Sequence, residues 1–237
     1  MKTPRTESGA APIVVHPPIG IVASVAASAL PSKAEAWAIA KAIRPQFTHY
    51  VAQYDTTKYW PKIYESIVRK FRHPALVDSG TLRDALLWKY GHLGKPRIPL
   101  AHERLISQLQ QGWPAAAAAL PQTPGEAFSA IDRDFGGKTR FVTVAFLVHL
   151  LHPLKAPIID QHNFRALNAL LAGARPGWTE KKMPSQYGDI VLLAAFMAAV
   201  LSAWNLQVPE SVPSARDLDK FLMMYGKAIK SRSNSHP

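Results

Sequence analysis

An acid, a histidine and an arginine stand at one junction of this chain, Asp160-Gln161-His162-Asn163-Phe164-Arg165, directly behind the apolar run Pro157-Ile158-Ile159. A carboxylate carried to the start of a helix accepts backbone N–H groups and feels the positive helix end, and both favour its ionised form. Held still beside a substrate, it stabilises positive charge as that charge develops and can orient a water. Upstream stands Asp134-Phe135-Gly136-Gly137-Lys138-Thr139-Arg140-Phe141. A glycine pair lets backbone N–H groups approach an anion closely, and cations follow it at once. The amine of Lys138, where neutral, is a nucleophile; a contact to phosphate accounts for it equally well. For Asp160 the plain alternative is an N-cap and nothing more.

The elements that must position these groups read as helices. Ser32 followed by Glu35 is a capping box opening Lys33 to Ile43, and Thr123-Pro124-Gly125-Glu126 is another. Thr81 with Asp84 opens a helix that Gly91 stops, Ser185 and Asp189 flank the start of an apolar helix, and Ser214 with Asp217 opens the last one. Phe141 to Leu151 is apolar on nearly every side, as a central helix is, and Pro153 and Pro157 prevent its continuation. Phe164, Leu167 and Leu171 then mark one face of a following helix, which makes Asp160 its N-cap or the residue just before it. Pro114 to Pro121 reads as a short separate helix between prolines. Strand signals are confined to Pro12 to Val22, where Pro17-Pro18 interrupts them. The expectation is an all-α protein.

A glycine-rich turn, Lys-Thr, an apolar helix and then Ile-Ile-Asp-x-His-x-x-Arg resemble the helix–hairpin–helix DNA glycosylase superfamily, of which endonuclease III is a member. The matching residues are Gly136, Gly137, Lys138, Thr139, Asp160, His162, Phe164 and Arg165, and the likeness covers about Phe135 to Leu171. It implies a two-lobed helical bundle, with the hairpin and catalytic loop within about 123–171 of a helical domain spanning 32–237. It implies Asp160 as the essential carboxylate, Lys138 as a Schiff-base amine if the protein also cleaves abasic sites, and Gly136, Gly137, Thr139, Arg140, His162 and Arg165 as contacts to double-stranded DNA. Phe135-Gly136-Gly137 replaces the family's Gly-x-Gly. The 22 residues from Lys138 to Asp160 are about one helical turn more than the family uses. Alternatively the family's lysine position falls at Arg140, and the chain lacks the amine there.

The totals agree with a nucleic-acid partner. Lys and Arg number 28 against 16 acids, a net charge of +12, which favours a polyanion or an anionic membrane surface. With 237 residues, 48% hydrophobic and 19% charged, the chain can bury a substantial core. The absence of cysteine excludes disulfides, thiolate metal sites and a cysteine-ligated iron–sulfur cluster; no cofactor is expected. A base-excising enzyme must extrude its nucleotide and hold it by stacking and edge contacts. Trp88, Tyr90 and His92 are the candidates for that pocket, although core burial is the ordinary reading for Trp88 and Trp60. His149, His152 and His162 permit a metal-hydrolase reading as well. The apolar stretch Ala10 to Leu30, within an N-terminal extension 1–31, has Glu7 ahead of it and Pro17-Pro18 inside it, unlike a signal peptide; it is expected to lie across the core. Ile190 to Trp204 falls short of the roughly 20 residues a bilayer span needs and reads as a buried helix. A monomeric, cytoplasmic, nucleoid-associated protein without a membrane partner is expected: a DNA glycosylase, or alternatively a non-catalytic DNA-binding protein on the same helical fold.

Overall fold

Caps written into the sequence open several helices as expected. The Ser32 hydroxyl accepts the Glu35 N–H while the Glu35 carboxylate accepts the Ser32 N–H. Thr123 caps the Pro124 helix, and Ser214 accepts the Asp217 N–H. The computed structural model describes residues 29–137 and 140–233, and every regular element among them is helical. In order these are α1 (Lys33–Ile43), α2 (Phe47–Ala52), α3 (Pro61–Lys70), α4 (Ser79–Tyr90), α5 (Leu100–Ala118), α6 (Pro124–Phe135), α7 (Phe141–Leu151), α8 (Gln161–Ala174), α9 (Tyr187–Gln207) and α10 (Ala215–Ser233).

Three local readings are corrected. Helix α4 starts at Ser79 rather than after Thr81, because Asp78 takes the cap and accepts both the Thr81 N–H and the Thr81 hydroxyl at 2.7 Å; a carboxylate is the stronger acceptor. Pro114 lies inside α5, not at the start of a separate helix. Buried Leu109, Trp113 and Ala117 continue one face through it, and burying that face outweighs the single hydrogen bond that proline removes. Ser185 and Asp189 flank the start of α9 as expected, with Gln186 between them as the cap and Asp189 accepting the Ser185 and Gln186 N–H groups. Trp60 is 48% exposed instead of buried, since it stands just outside α3, which Pro61 opens. Of the expected N-terminal extension only its last residues are described, and the Leu30 carbonyl accepts from Arg175; the rest lies outside the described residues.

The helices pack in two groups. The first and last described helices come together, α1 and α2 against α8, α9 and α10, while α3 to α7 pack on one another in sequence, with α3 also against α7. One apolar core runs through both groups. The segment between α7 and α8 therefore carries the chain from one group into the other, and Asp160 is its last residue. Helix α9 alone among the described helices is long and apolar enough to cross a membrane, with 56% of that stretch buried inside the fold.

The crossing is clamped by a close approach of α10 to the first turn of α8. Gly226 lies so near the His162 carbonyl that a Cβ there would overlap it, and the Arg165 guanidinium donates to the Gly226 carbonyl at 3.2 Å. Gly226→Ala is expected to lose about 1–3 kcal/mol in urea unfolding. Gly173→Ala, in open space on the same helix α8, is expected to gain about 0.4–1 kcal/mol.

Candidate active site

Asp160 is the N-cap of α8, with extended backbone (φ −147°, ψ 179°). Its Oδ1 accepts the His162 N–H at 2.7 Å and the Asn163 N–H at 3.1 Å. Among the described residues no hydrogen bond occupies Oδ2. Asn163 returns the cap by accepting the Asp160 N–H at 2.9 Å. Its own amide donates to the Ile158 carbonyl at 2.6 Å and to Asp219 Oδ1 at 3.2 Å. One buried asparagine thus ties together the incoming segment, the cap and helix α10.

Charged groups gather around this turn from three other helices or loops. Asp219, on α10, is pushed up to about 7 by burial and then by the Asp160 charge, while the Asn163 hydrogen bond, Lys89 and Lys220 pull the other way. Lys89, on α4, is half-buried, with Nζ 3.4 Å from the Ile159 carbonyl and 5.6 Å from the centre of the Phe146 ring. Burial lowers its pKa against the attraction of Asp160 and Asp219. The Tyr59 hydroxyl is pushed up by burial and by Asp160; that of Tyr54 is pushed up by burial and Asp219, with Asp160 contributing. Lys227 is held low by burial and Lys58, and Asp160 opposes this.

Beside the turn lies a cavity of about 360 Å³ between the two helix groups. Tyr64, Trp88 and His149 line it from one side, Met197 from α9, and Ile158 and Asp219 from the Asp160 end. Trp88 stacks on Phe146 (5.8 Å between centroids, 16°) and packs on Tyr64 at 5.0 Å. His149 bonds the Ala156 carbonyl through Nδ1 at 2.7 Å and the Tyr64 hydroxyl through Nε2 at 2.6 Å. A carbonyl only accepts, so Nδ1 carries the proton and Nε2 accepts from Tyr64. Burial holds His149 down to about 4, hence neutral. With both ring nitrogens engaged, it braces the segment that delivers Asp160. Among the described residues no three metal-ligating side chains converge.

The other sequence candidates are placed as follows. Gly136 caps α6 where a Cβ would overlap the Asp132 carbonyl, and Gly137 has φ 149°, a conformation L side chains rarely adopt. Arg140 closes the turn by donating its N–H to the Gly137 carbonyl at 2.9 Å, and its guanidinium reaches back to the Phe135 carbonyl at 3.3 Å. Lys138 and Thr139 lie outside the described residues. His162 and Arg165 face each other, Arg165 Nη1 standing 3.4 Å from His162 Nδ1, and brace α8 against α10. Tyr90 bonds Thr143 at 2.7 Å and stacks on His102 at 4.1 Å, and His92 bonds His102 at 3.1 Å. Of Trp88, Tyr90 and His92, only Trp88 lines the cavity.

Lys89, Asn163, Asp219 and Tyr54 were not among the sequence candidates. Their one sequence signal is a polar side chain at the edge of an apolar stretch, as in Leu86-Leu87-Trp88-Lys89-Tyr90 and Leu218-Asp219-Lys220-Phe221. Comparison with models of known families, with curated proteins and with solved structures finds no match for the chain.

The raised Asp219 carboxyl has a consequence for stability. Its folded pKa lies above the ordinary 3.8, so its contribution is complete below about 3.8 and is lost as pH rises towards about 7. His149 acts in the opposite sense, losing its contribution as pH falls from 6.5 towards about 4. The difference between the unaltered protein and Asp219→Asn cancels the histidine. Urea unfolding at pH 4, 5.5 and 7 should show the variant gaining on the unaltered protein as pH rises.

Proposed function

We propose that the protein is a DNA N-glycosylase of the helix–hairpin–helix kind, acting as a monomer on double-stranded DNA, with Asp160 as its catalytic carboxylate. The observation that carries this reading is the half-buried Asp160 carboxylate, pinned at a helix start between the two helix groups, with Oδ2 unbonded among the described residues, beside an aromatic-walled cavity. Further support comes from the succession of α6, the glycine pair and α7, the way the first and last described helices pack against each other, and the net charge of +12.

Breaking the bond between base and sugar leaves positive charge on the deoxyribose. A carboxylate already oriented by two N–H groups meets that charge without reorganising, and its other oxygen is free to face the sugar or hold the attacking water. The base leaves with the bonding pair, water oxygen bonds to C1′, and a proton of that water ends on the departed base. A volume of about 360 Å³ falls within the roughly 300–1,000 Å³ of sites that enclose small ring systems, and Tyr54 on its wall is an aromatic against which a base would pack. The glycine turn and the basic surface would hold the phosphate backbone, so binding should weaken steeply with added salt.

The alternative, a non-catalytic DNA-binding protein with Asp160 kept as a cap, draws on the same two capping bonds. Asp160→Asn separates the two, because asparagine caps as well as aspartate and only the charge is lost. On duplexes carrying deaminated, oxidised, alkylated or mismatched bases, the variant should excise at least about 100-fold more slowly while binding DNA as before. Normal excision by the variant would remove Asp160 from the mechanism, and no excision by the unaltered protein from any duplex would favour the binding protein.

A further inference from the structure

Helix α9 is apolar nearly all round, and a helix of that composition is normally covered on every side. Among the described residues the cover is incomplete. Ala194, Ala195, Ala198 and Leu201 run along the cavity as one stripe of α9, and all four remain partly exposed. Leu154, which also lines the cavity, is 75% exposed. Leu30 belongs to the same wall. Ala29 and Leu30, the first described residues, pack on the core, and the Arg175 guanidinium holds the Leu30 carbonyl at 2.7 Å. The chain is therefore fixed at the cavity, and the 28 residues before Ala29 start from there.

That preceding sequence matches the wall in chemistry. Residues 8–32 contain no Asp, Glu, Lys or Arg in a chain whose net charge is +12, and residues 19–30 contain no proline either. Ile19, Ile21, Val22 and Val25 supply branched apolar side chains to set against the small alanines of α9. Val22 stands eight residues before Leu30, a span of up to about 26 Å when extended. The α9 stripe from Ala194 to Leu201 is about 10 Å long, so the segment can pass along all of it. Tethered at Leu30, it meets the cavity at a high effective concentration, which a free apolar molecule or a second chain does not. We propose that residues 19–25 of the same chain dock in this cavity and cover the apolar stripe of α9. The docking stands apart from the glycosylase reading; where that reading also holds, base and segment compete for one space.

The chain contains no cysteine, so introduced thiols report without background. In the full chain, Ala194→Cys should react with a maleimide at least about tenfold more slowly than the same variant carrying Ile21→Asp and Val22→Asp, because carboxylates do not enter an apolar site unpaired. Leu206→Cys, at the exposed end of α9, should react equally fast in both backgrounds. A short bis-maleimide should join Val25→Cys to Ala194→Cys within one molecule, and far faster than to Leu206→Cys, about 18 Å further along the helix. Equal Ala194→Cys rates in the two backgrounds, or joining of position 25 to 194 no faster than to 206, overturns the proposal. Protection that grows with protein concentration, or joining that yields a dimer, assigns the cavity to a second copy and overturns it too. None of these readouts uses DNA, so failure of the glycosylase reading leaves them unchanged.

Discussion

The whole arrangement depends on the first turn of α8. There a single asparagine, 1% exposed, accepts the N–H of Asp160 and spends its own N–H groups on Ile158 and Asp219. Asp160 in turn satisfies two of the N–H groups that a helix start leaves unpaired. The bonds are local, but the turn is also the point where the chain passes between the two helix groups. A helix cap therefore also registers one half of the core against the other. His149, bonded to Ala156 and Tyr64, performs the matching task at the upstream end of the same segment.

Around that turn the electrostatics are deliberately uneven in their effects. Asp160 is fixed by N–H donors in a half-open position, whereas Asp219 is enclosed and its carboxyl is pushed up to about 7. Burial and a neighbouring negative charge both disfavour ionisation of Asp219. Lys89 offsets part of this without sitting in a tight pair with either acid. The result is one carboxylate held by backbone N–H groups at the head of α8 and one acid with a raised pKa on the cavity wall.

What could be read in the sequence was whatever local chemistry fixes. The Ser32 and Thr123 caps, the stop at Gly91, the proline-ended α7 and Asp160 at the head of α8 each follow from residues within a few positions of one another. The turn of Gly136 and Gly137 belongs with them, because close approach to the Asp132 carbonyl admits no side chain at the first and φ 149° favours glycine at the second. Pro114 was misread because burial of Trp113 and Ala117, a tertiary effect, carries α5 through it. Lys89 and Asp219 escaped for the same reason: they are 71 and 59 positions from Asp160 in the chain, and only the tertiary fold, which sets Lys89 beside the Ile159 carbonyl and packs α10 on α8, gives them a shared environment. Tyr90 and His92 looked like pocket residues by type, yet their partners Thr143 and His102 turn them away from the cavity.

The central claim is that the Asp160 carboxylate is held ready for a sugar that becomes cationic. The most direct measurement compares the affinity of the protein for two duplexes that differ in charge alone at one sugar position, a cationic pyrrolidine analogue and a neutral tetrahydrofuran analogue. If the claim holds, the pyrrolidine duplex binds tighter by about a hundredfold or more, and replacing Asp160 by asparagine erases the difference. Equal affinities for the two duplexes, or a preference that survives the loss of the Asp160 charge, would contradict it.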